Sequence, residues 1–181
     1  GHALLFDQLD SVEPDAVLSD LDQGNTRLSF LSQILSLDRR DNFLNPRKGY
    51  RFALENKIAS EAIGSQADFF ETTGAFSFLH PSSSIPRFTL ANSSRLGASW
   101  TWGSTADMPI SQRYFIGGQN SVRGFRENSL GPQGENGSVI GGDLLVLNNF
   151  ELRYLVADSF SVHTFLDAGT VYLKDRSTAL S

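Results

Sequence analysis

Apolar and polar side chains alternate with a period of two in several long segments of this chain. Within 68–80, for example, Phe76 and Phe78 share one face, while Glu71 and Ser77 share the other. Successive side chains of a β-strand point to opposite faces of the sheet, so this period predicts half-buried strands. We predict six strands, at 28–38, 49–60, 67–80, 87–102, 140–156 and 159–173.

The length of these strands decides between a soluble sandwich and a membrane barrel. Strands of soluble proteins average about five or six residues, whereas the predicted ones are long enough to cross a bilayer at a tilt. Their polar faces carry charges that suit a wet lumen, and aromatic residues lie near strand ends as interfacial girdles do. The charges are Arg51, Glu55, Lys57, Arg95, Glu151 and Arg153, and the aromatic residues are Tyr50, Trp100, Trp102, Tyr154 and Tyr172. We therefore predict an all-β, antiparallel transmembrane β-barrel, with a soluble sandwich as the alternative.

Six strands are too few for a closed membrane barrel, because the smallest such barrels have about eight. Lipid does not tolerate an open sheet edge, so we expect residues 25–181 to be a fragment of a larger barrel. A long loop at 103–139 is predicted on one side of the sheet. Short turns, of the kind found on the periplasmic side, are predicted on the other side at 39–48, 80–87 and 157–159.

The first 24 residues lack the clear alternation of the rest. They hold six acidic side chains among scattered leucines. We interpret 1–24 as an acidic loop and strand remnant, and a short amphipathic helix over 14–22 is the alternative. At the other end, 177–181 does not have the pattern of a final barrel strand, which agrees with a fragment.

Composition and side-chain spacing exclude several functional classes. The chain has 15 basic and 20 acidic residues, so it lacks the basic surplus of a nucleic-acid binder. It has no cysteine, which excludes disulfides, thiol catalysis and cysteine-ligated metals. His2, His80 and His163 lack metal-ligand spacing, and no nucleophile elbow is present. We therefore predict no enzymatic activity, metal or cofactor, and we interpret His163 as lining the lumen.

The long loop carries the residue on which the functional hypothesis depends. Arg123 lies within 103–139, and a loop of this length without structure of its own is usually functional or disordered. Glu151 and Asp167 have the same inward parity on adjacent strands, and the turn near Asp158 would bring them within roughly 5 to 8 Å. Two carboxylates at such a short distance repel each other unless a cation lies between them, and Arg123 can supply that cation. We predict that these three residues, the loop-lock cluster, pin the loop inside the lumen; the alternative is a solvated arginine and acids that merely line a pore.

Glycines around this arginine suggest how the loop reaches the wall. Gly124 would let the backbone pass close to the wall or adopt a positive φ, and Phe125 would lie in the lumen. The pairs Gly117-Gly118 and Gly141-Gly142 are candidate hinges.

The stretch RYFIGGQNSVRGF, at 113–125, resembles the BamA/TamA superfamily of outer-membrane assembly barrels, the bacterial surface antigen type. Val122, Arg123, Gly124 and Phe125 match the signature of the family's sixth extracellular loop. Further matching stretches are SLGP at 129–132, GGDLLVLNNFELRY at 141–154, FLDAGTVY at 165–172, and DNFLNPRKGYRF at 41–52 with the turn residues Asp41, Pro46 and Gly49. The resemblance therefore covers roughly 27–175, and the sequence at 141–154 favours a TamA-like branch.

This resemblance implies a fragment of a sixteen-strand barrel in a Gram-negative type of outer membrane. It implies that Arg123 is locked to Glu151 and Asp167, and that clients are inserted or translocated without ATP or a cofactor. The implied partners are outer-membrane lipids, unfolded β-barrel or secreted client proteins, and accessory periplasmic or lipoprotein subunits. A two-partner-secretion-type polypeptide transporter and a passive porin-like barrel are the alternatives.

Overall fold

One antiparallel sheet dominates the computed structural model, which describes residues 2–8, 25–85, 87–134, 137–157 and 160–174. Its seven strands follow one another in chain order: β1 (His2–Gln8), β2 (Asn25–Asp38), β3 (Gly49–Ala59), β4 (Phe69–Pro81), β5 (Phe88–Thr101), β6 (Leu144–Ala157) and β7 (Phe160–Tyr172). Six of them correspond to the predicted strands. The additional strand, β1, lies in the segment interpreted as an acidic loop and strand remnant. Residues 9–24 and 177–181 lie outside the described residues.

The strands β2 to β7 contain 11 to 14 residues each, a length that can span a bilayer at a tilt. The prediction placed the start of β6 at residue 140, whereas the strand begins at Leu144. The difference arises because Gly142 pairs with Tyr114 of the long loop, through two backbone hydrogen bonds of 2.9 and 3.0 Å. Gly142 therefore closes the base of the loop instead of extending the strand.

Each face of the sheet has its own chemistry, as the period of two predicts. The long loop packs against the face formed by odd-numbered residues of β3 to β7, which we call the inner face. On this face Lys57 lies 3.5 Å from Glu71 and 3.8 Å from Glu55. The opposite, outer face exposes large apolar side chains, including Phe52, Ile58, Phe76, Leu96, Val146, Leu152 and Leu166. This arrangement matches a wall with a polar interior and an apolar exterior.

The short turns and the long connection lie at opposite ends of the sheet, as predicted. The turns that follow β2, β4 and β6 lie at one end, and the connection that follows β5 lies at the other. The connection between β3 and β4 also lies at the long-loop end and contains a short 3-10 helix, Glu61–Ile63. Beside it, a buried apolar cluster joins that connection, β2 and the long loop, and it consists of Leu28, Ala59, Ala67, Phe69 and Met108.

The sheet is open within the described residues, since β1 and β7 each pair with a single neighbouring strand. An open edge presents unpaired backbone donors and acceptors, which a bilayer cannot satisfy. No helix of the described part of the chain is long and apolar enough to cross a membrane.

Candidate functional site

The long loop is ordered by its own backbone contacts, which corrects the expectation of a loop without structure of its own. It contains a 3-10 helix at Ile110–Gln112 and the isolated bridges Ile116↔Leu130 and Gln133↔Val139. The Arg113 side chain joins the two ends of the loop: its Nε donates to Met108 O at 2.9 Å and its Nη1 to Ile140 O at 3.2 Å. The loop therefore approaches the inner face as a folded unit.

Arg123 lies between the two predicted acids and donates to both. Its Nε and Nη2 form a bidentate pair with Asp167, at 2.7 Å to each carboxylate oxygen, and its backbone N–H donates to the same carboxylate at 2.9 Å. Its Nη1 donates to Glu151 Oε1 at 2.7 Å. The structure thus brings together all three residues of the loop-lock cluster, and the alternative of a solvated arginine is not what it shows.

The register explains how the two strands present these acids. Asp167 lies directly opposite Asn149, and Glu151 lies opposite Phe165, so the two carboxylates are diagonal neighbours across β6 and β7. This is the diagonal arrangement that the sequence allowed. The wide fork of a guanidinium can reach both positions at once, whereas the single ammonium of a lysine cannot reproduce the bidentate pair.

Three further residues of the site were not predicted as part of it. The guanidinium of Arg123 stacks on the Phe165 ring, with Cζ 3.7 Å from the ring centroid. The Asn149 side chain donates to Asp167 Oδ1 at 2.8 Å and to Ser121 O in the loop at 2.6 Å. Arg153 donates to the second oxygen of Glu151 at 2.8 Å. Their inward parity was the available signal, but Phe165 is apolar and was not considered for the polar face.

The charges of the site balance. Two arginines, Arg123 and Arg153, face two carboxylates, and the Asp167 side chain is only 3% exposed. Hydrogen bonding to Asp167 is the main cause that raises the pKa of Arg123 above its usual value, so this guanidinium stays charged. Ion pairs of this geometry are stronger than neutral hydrogen bonds, and partial burial limits their screening by water.

An apolar cluster lies beside the ion pairs and also joins the loop to the wall. It consists of Ile116, Val122, Leu145, Leu147 and Val171, each at most 6% exposed. The run LLVL at 144–147 is apolar on both faces of the strand, which was a sequence signal that something covers the inner face there. The loop is therefore held by apolar burial as well as by charge.

The remaining loop residues have the following places. Gly124 has a φ of 90°, and a Cβ at this position would meet no other atom within 4 Å. The positive φ is therefore the reason for a glycine here, and the packing around it is not. The Phe125 side chain is 54% exposed, and its place in a lumen stays a prediction, while Phe165 is the aromatic residue that contacts Arg123. Gly117 and Gly118 have positive φ and pack against 126–129, so close packing also explains them. Their role as hinges stays a prediction, as it does for Gly141-Gly142.

The turn at 39–48 is built around one carboxylate at the opposite end of the sheet. Asp41 Oδ1 accepts backbone hydrogen bonds from Arg47 at 2.9 Å, Asn42 at 3.0 Å and Lys48 at 3.1 Å. The turn ends at Gly49, whose φ is 108° and whose missing Cβ leaves room for the backbone of Arg39. Pro46 lies between these anchors, beside the inner face. The three predicted turn residues thus belong to one compact turn.

Other predicted chemistry is placed as follows. His163 lies on the inner face and shares a hydrogen bond of 2.8 Å with Ser161, outside the loop-lock cluster. Among the residues that the structure describes, no group of three or more His, Cys, Asp and Glu side chains could hold a metal ion. The site is therefore one of charge pairing and packing.

Comparison with known proteins gives consistent findings. A family model described as the Omp85 superfamily domain matches residues 4–180. The outer membrane protein assembly factor BamA of Nitratidesulfovibrio vulgaris is 27% identical over 176 residues, which cover 95% of this chain and 22% of that protein. The sorting and assembly machinery component 50 homolog of Xenopus tropicalis is 30% identical over 166 residues, which cover 83% of this chain and 33% of that protein.

A solved structure is similar as well. The crystal structure of BamA from Haemophilus ducreyi lacking POTRA domains 1-3 matches with a TM-score of 0.72 and 23% identity. The match covers 86% of this chain and 33% of that one. At this identity the likeness concerns the fold. The chain spans between about a fifth and a third of the length of these relatives.

Proposed function

The chain belongs to the Omp85 superfamily, and from this premise we propose that it forms part of the wall of an outer-membrane protein assembly factor. Such a factor would insert or translocate β-barrel clients without ATP. The observation that carries the proposal is the contact of Arg123 with Asp167 and Glu151, which fastens the long loop to β6 and β7.

The fold class, the family and the location were all predicted from the sequence. The transmembrane β-barrel class, the family and the outer-membrane location are confirmed by the family match, by the relatives named as outer membrane proteins and by the structural likeness. The relatives reported above carry the names of assembly factors, and for this reason we propose assembly in preference to polypeptide transport or passive permeation. The TamA-like branch stays a prediction.

The mechanism that we propose for this segment is mechanical. An assembly barrel must deform at one place to admit a client strand, so the rest of its wall has to keep its strand register. A loop fastened across β6 and β7 would stiffen that part of the wall. Each charge-assisted hydrogen bond contributes about 1.5–3 kcal/mol when it is desolvated, and the 25% exposure of the Arg123 side chain lowers this contribution.

The proposed activity needs no covalent chemistry. We propose that the chain acts without a cofactor and that its partners are outer-membrane lipids and unfolded client barrels, with accessory periplasmic or lipoprotein subunits. The paired charges at Arg123 support the absence of covalent chemistry, because both acids of the cluster already accept hydrogen bonds from arginine. The names of the relatives, which are assembly factors, support the proposed clients.

The experiment compares Arg123→Ala with Arg126→Ala in the full-length protein. Both arginines lie in the same loop, but the Arg126 side chain is exposed, so its loss is the matched control. Each variant is reconstituted in phospholipid vesicles, and the folding rate of an unfolded client barrel is measured. Loss of one fully desolvated charge-assisted bond corresponds to roughly 10- to 150-fold in the population of the fastened loop. Arg123→Ala removes three side-chain bonds of this kind, which partial exposure weakens. We expect Arg123→Ala to slow client folding by at least several-fold, and Arg126→Ala to have no effect.

Folding of the variant barrel itself is checked by the heat-dependent shift of its band on electrophoresis, and Arg123→Lys serves as a milder variant. The proposal fails if a folded Arg123 variant with a protease-sensitive loop keeps full activity. It also fails if the vesicles transport a secreted polypeptide but do not accelerate folding of the client, which would favour the transporter.

A further inference from the structure

Tyr114 at the base of the long loop is held on a different part of the wall from Arg123. Its hydroxyl donates to Thr72 O at 3.1 Å and lies 3.0 Å from Thr73 Oγ1, so the ring reaches β4. On the way it passes over β5 at Gly97: a Cβ at that position would lie 2.6 Å from Tyr114 Cζ. The ring therefore occupies a notch that exists only because residue 97 has no side chain.

The notch is a matter of space and not of backbone conformation. Gly97 lies within β5, opposite Thr73 on β4 and Leu145 on β6, and its φ is not in the left-handed region. A glycine inside a strand weakens the strand, and such a residue usually marks a bulge or a close approach. Here the close approach is made by the Tyr114 ring.

This contact is separate from the loop-lock cluster. Arg123 binds residues of β6 and β7, whereas the Tyr114 side chain binds β4 and β5. Eight residues lie between the two along the loop, among them Ile116 and Val122 of the apolar cluster. The Tyr114 backbone also pairs with Gly142, the point where the chain returns to β6. The loop is thus attached at two places to two different pairs of strands.

We propose that Tyr114 is a second anchor of the long loop, a positioning residue that holds the first part of the loop to β4 and β5 independently of Arg123. The loop leaves the wall only when both anchors and the apolar cluster between them open, and loss of either anchor leaves the loop partly attached. This inference concerns the position of the loop and holds whether or not the wall belongs to an assembly factor.

The test uses Gly97→Ala in the full-length protein, because the added methyl group displaces the ring and leaves the tyrosine unchanged. Gly74→Ala is the matched control, since Gly74 also lies inside a strand but its Cβ would meet no atom within 4 Å. A nitroxide is attached to a cysteine at position 119, an exposed site between the anchors in a segment that has no cysteine of its own. Loop mobility is read from the spectrum, and loop exposure is read from tryptic cleavage after Arg126.

We expect Gly97→Ala to raise the tryptic cleavage rate by about tenfold or more, and Tyr114→Phe to raise it by about 2- to 10-fold, the range for one neutral hydrogen bond. Gly74→Ala leaves the rate unchanged. Since the anchors bind different strands, the effects of Gly97→Ala and Arg123→Ala multiply in the double variant. The inference is overturned if Gly97→Ala does not increase the mobility of the label at 119, both when Arg123 is present and when it is replaced by alanine.

A purely structural role of Gly97 is tested with Gly97→Ala/Tyr114→Ala. Removing the ring relieves the clash, so the thermal stability of the barrel should recover relative to Gly97→Ala, while the loop stays mobile because its anchor is gone. If loop mobility also returned to the parental level, Tyr114 would not be an anchor and the inference would be wrong.

Discussion

Arg123 donates more hydrogen bonds to one acid of the cluster than to the other, so the two acids should contribute unequally to the attachment of the loop. Asp167 accepts three hydrogen bonds from Arg123, including one from the backbone N–H, whereas Glu151 accepts one. Asp167 is also the more buried of the two, with a side chain 3% exposed against 16% for Glu151. The aspartate therefore carries more of the attachment.

We expect Asp167→Asn to expose the loop more than Glu151→Gln. Both substitutions preserve size and remove one charge, so the comparison isolates the number and burial of the contacts. The measurement is the rate of tryptic cleavage after Arg126 in the folded, full-length protein. Equal rates in the two variants, or a faster rate in Glu151→Gln, would show that the bidentate pair is not the principal contact.

Parity was sufficient to predict the three residues of the loop-lock cluster but not the residues that surround them. Arg123 needed acceptors, and Glu151 and Asp167 were the inward acids on the next two strands, so charge and alternation together selected them. Phe165 escaped prediction because alternation assigns apolar residues to the outer face. Its inward place depends on stacking against a guanidinium, which is a tertiary contact that a single sequence does not encode locally.

The turn at 39–48 is the element whose stability should depend on pH. Backbone hydrogen bonds from Arg47, and then from Lys48, hold the pKa of Asp41 below its usual value. A carboxylate whose pKa is lower in the folded turn stabilises the turn above its unfolded pKa of about 3.9. That stabilisation is lost as the pH falls through the folded pKa.

We therefore expect the amide hydrogens of Arg47 and Lys48 to exchange faster, relative to the intrinsic rate, once the pH falls below about 4. Hydrogen exchange read at these two amides between neutral pH and pH 3 measures this, with Asp41→Asn as the control. The asparagine keeps an acceptor oxygen but has no charge to titrate, so its relative protection should not change with pH. A pH dependence that persisted in Asp41→Asn would assign the effect to another group.

Elements that depend on local pattern were predicted well, and those that depend on long-range contact were not. The six long strands and the side on which each turn lies follow from alternation and from turn residues. The start of β6 was placed too early because GGDLL continues the strand pattern. In the structure Gly142 pairs with Tyr114 of the loop, a long-range contact that the local pattern does not show. The internal bridges of the loop, such as Ile116↔Leu130, likewise have no local signal.

At the scale of the whole molecule, the chain is one stretch of a seven-stranded wall with a folded loop on its inner face. The loop joins β4 and β5 through Tyr114 and joins β6 and β7 through Arg123, so it crosses four consecutive strands. The outer face is apolar along these strands, and the inner face carries the paired charges. A wall that is braced from inside in this way can keep its register while another part of a barrel opens.

The central claim is that Arg123 acts by holding the loop against the wall, and Arg123→Cys combined with Asp167→Cys tests it most directly. This segment has no cysteine of its own, and the Arg123 backbone N–H donates to the Asp167 carboxylate at 2.9 Å, so the two positions are neighbours at which a disulfide is tested as a replacement for the ion pair. Client folding is measured in vesicles with the double variant oxidised and then reduced. We predict parental activity when the disulfide is closed and a loss similar to that of Arg123→Ala when it is open. Equal impairment in both states, with the disulfide shown to have formed, would contradict the claim, because the loop would be held and yet the function would be absent.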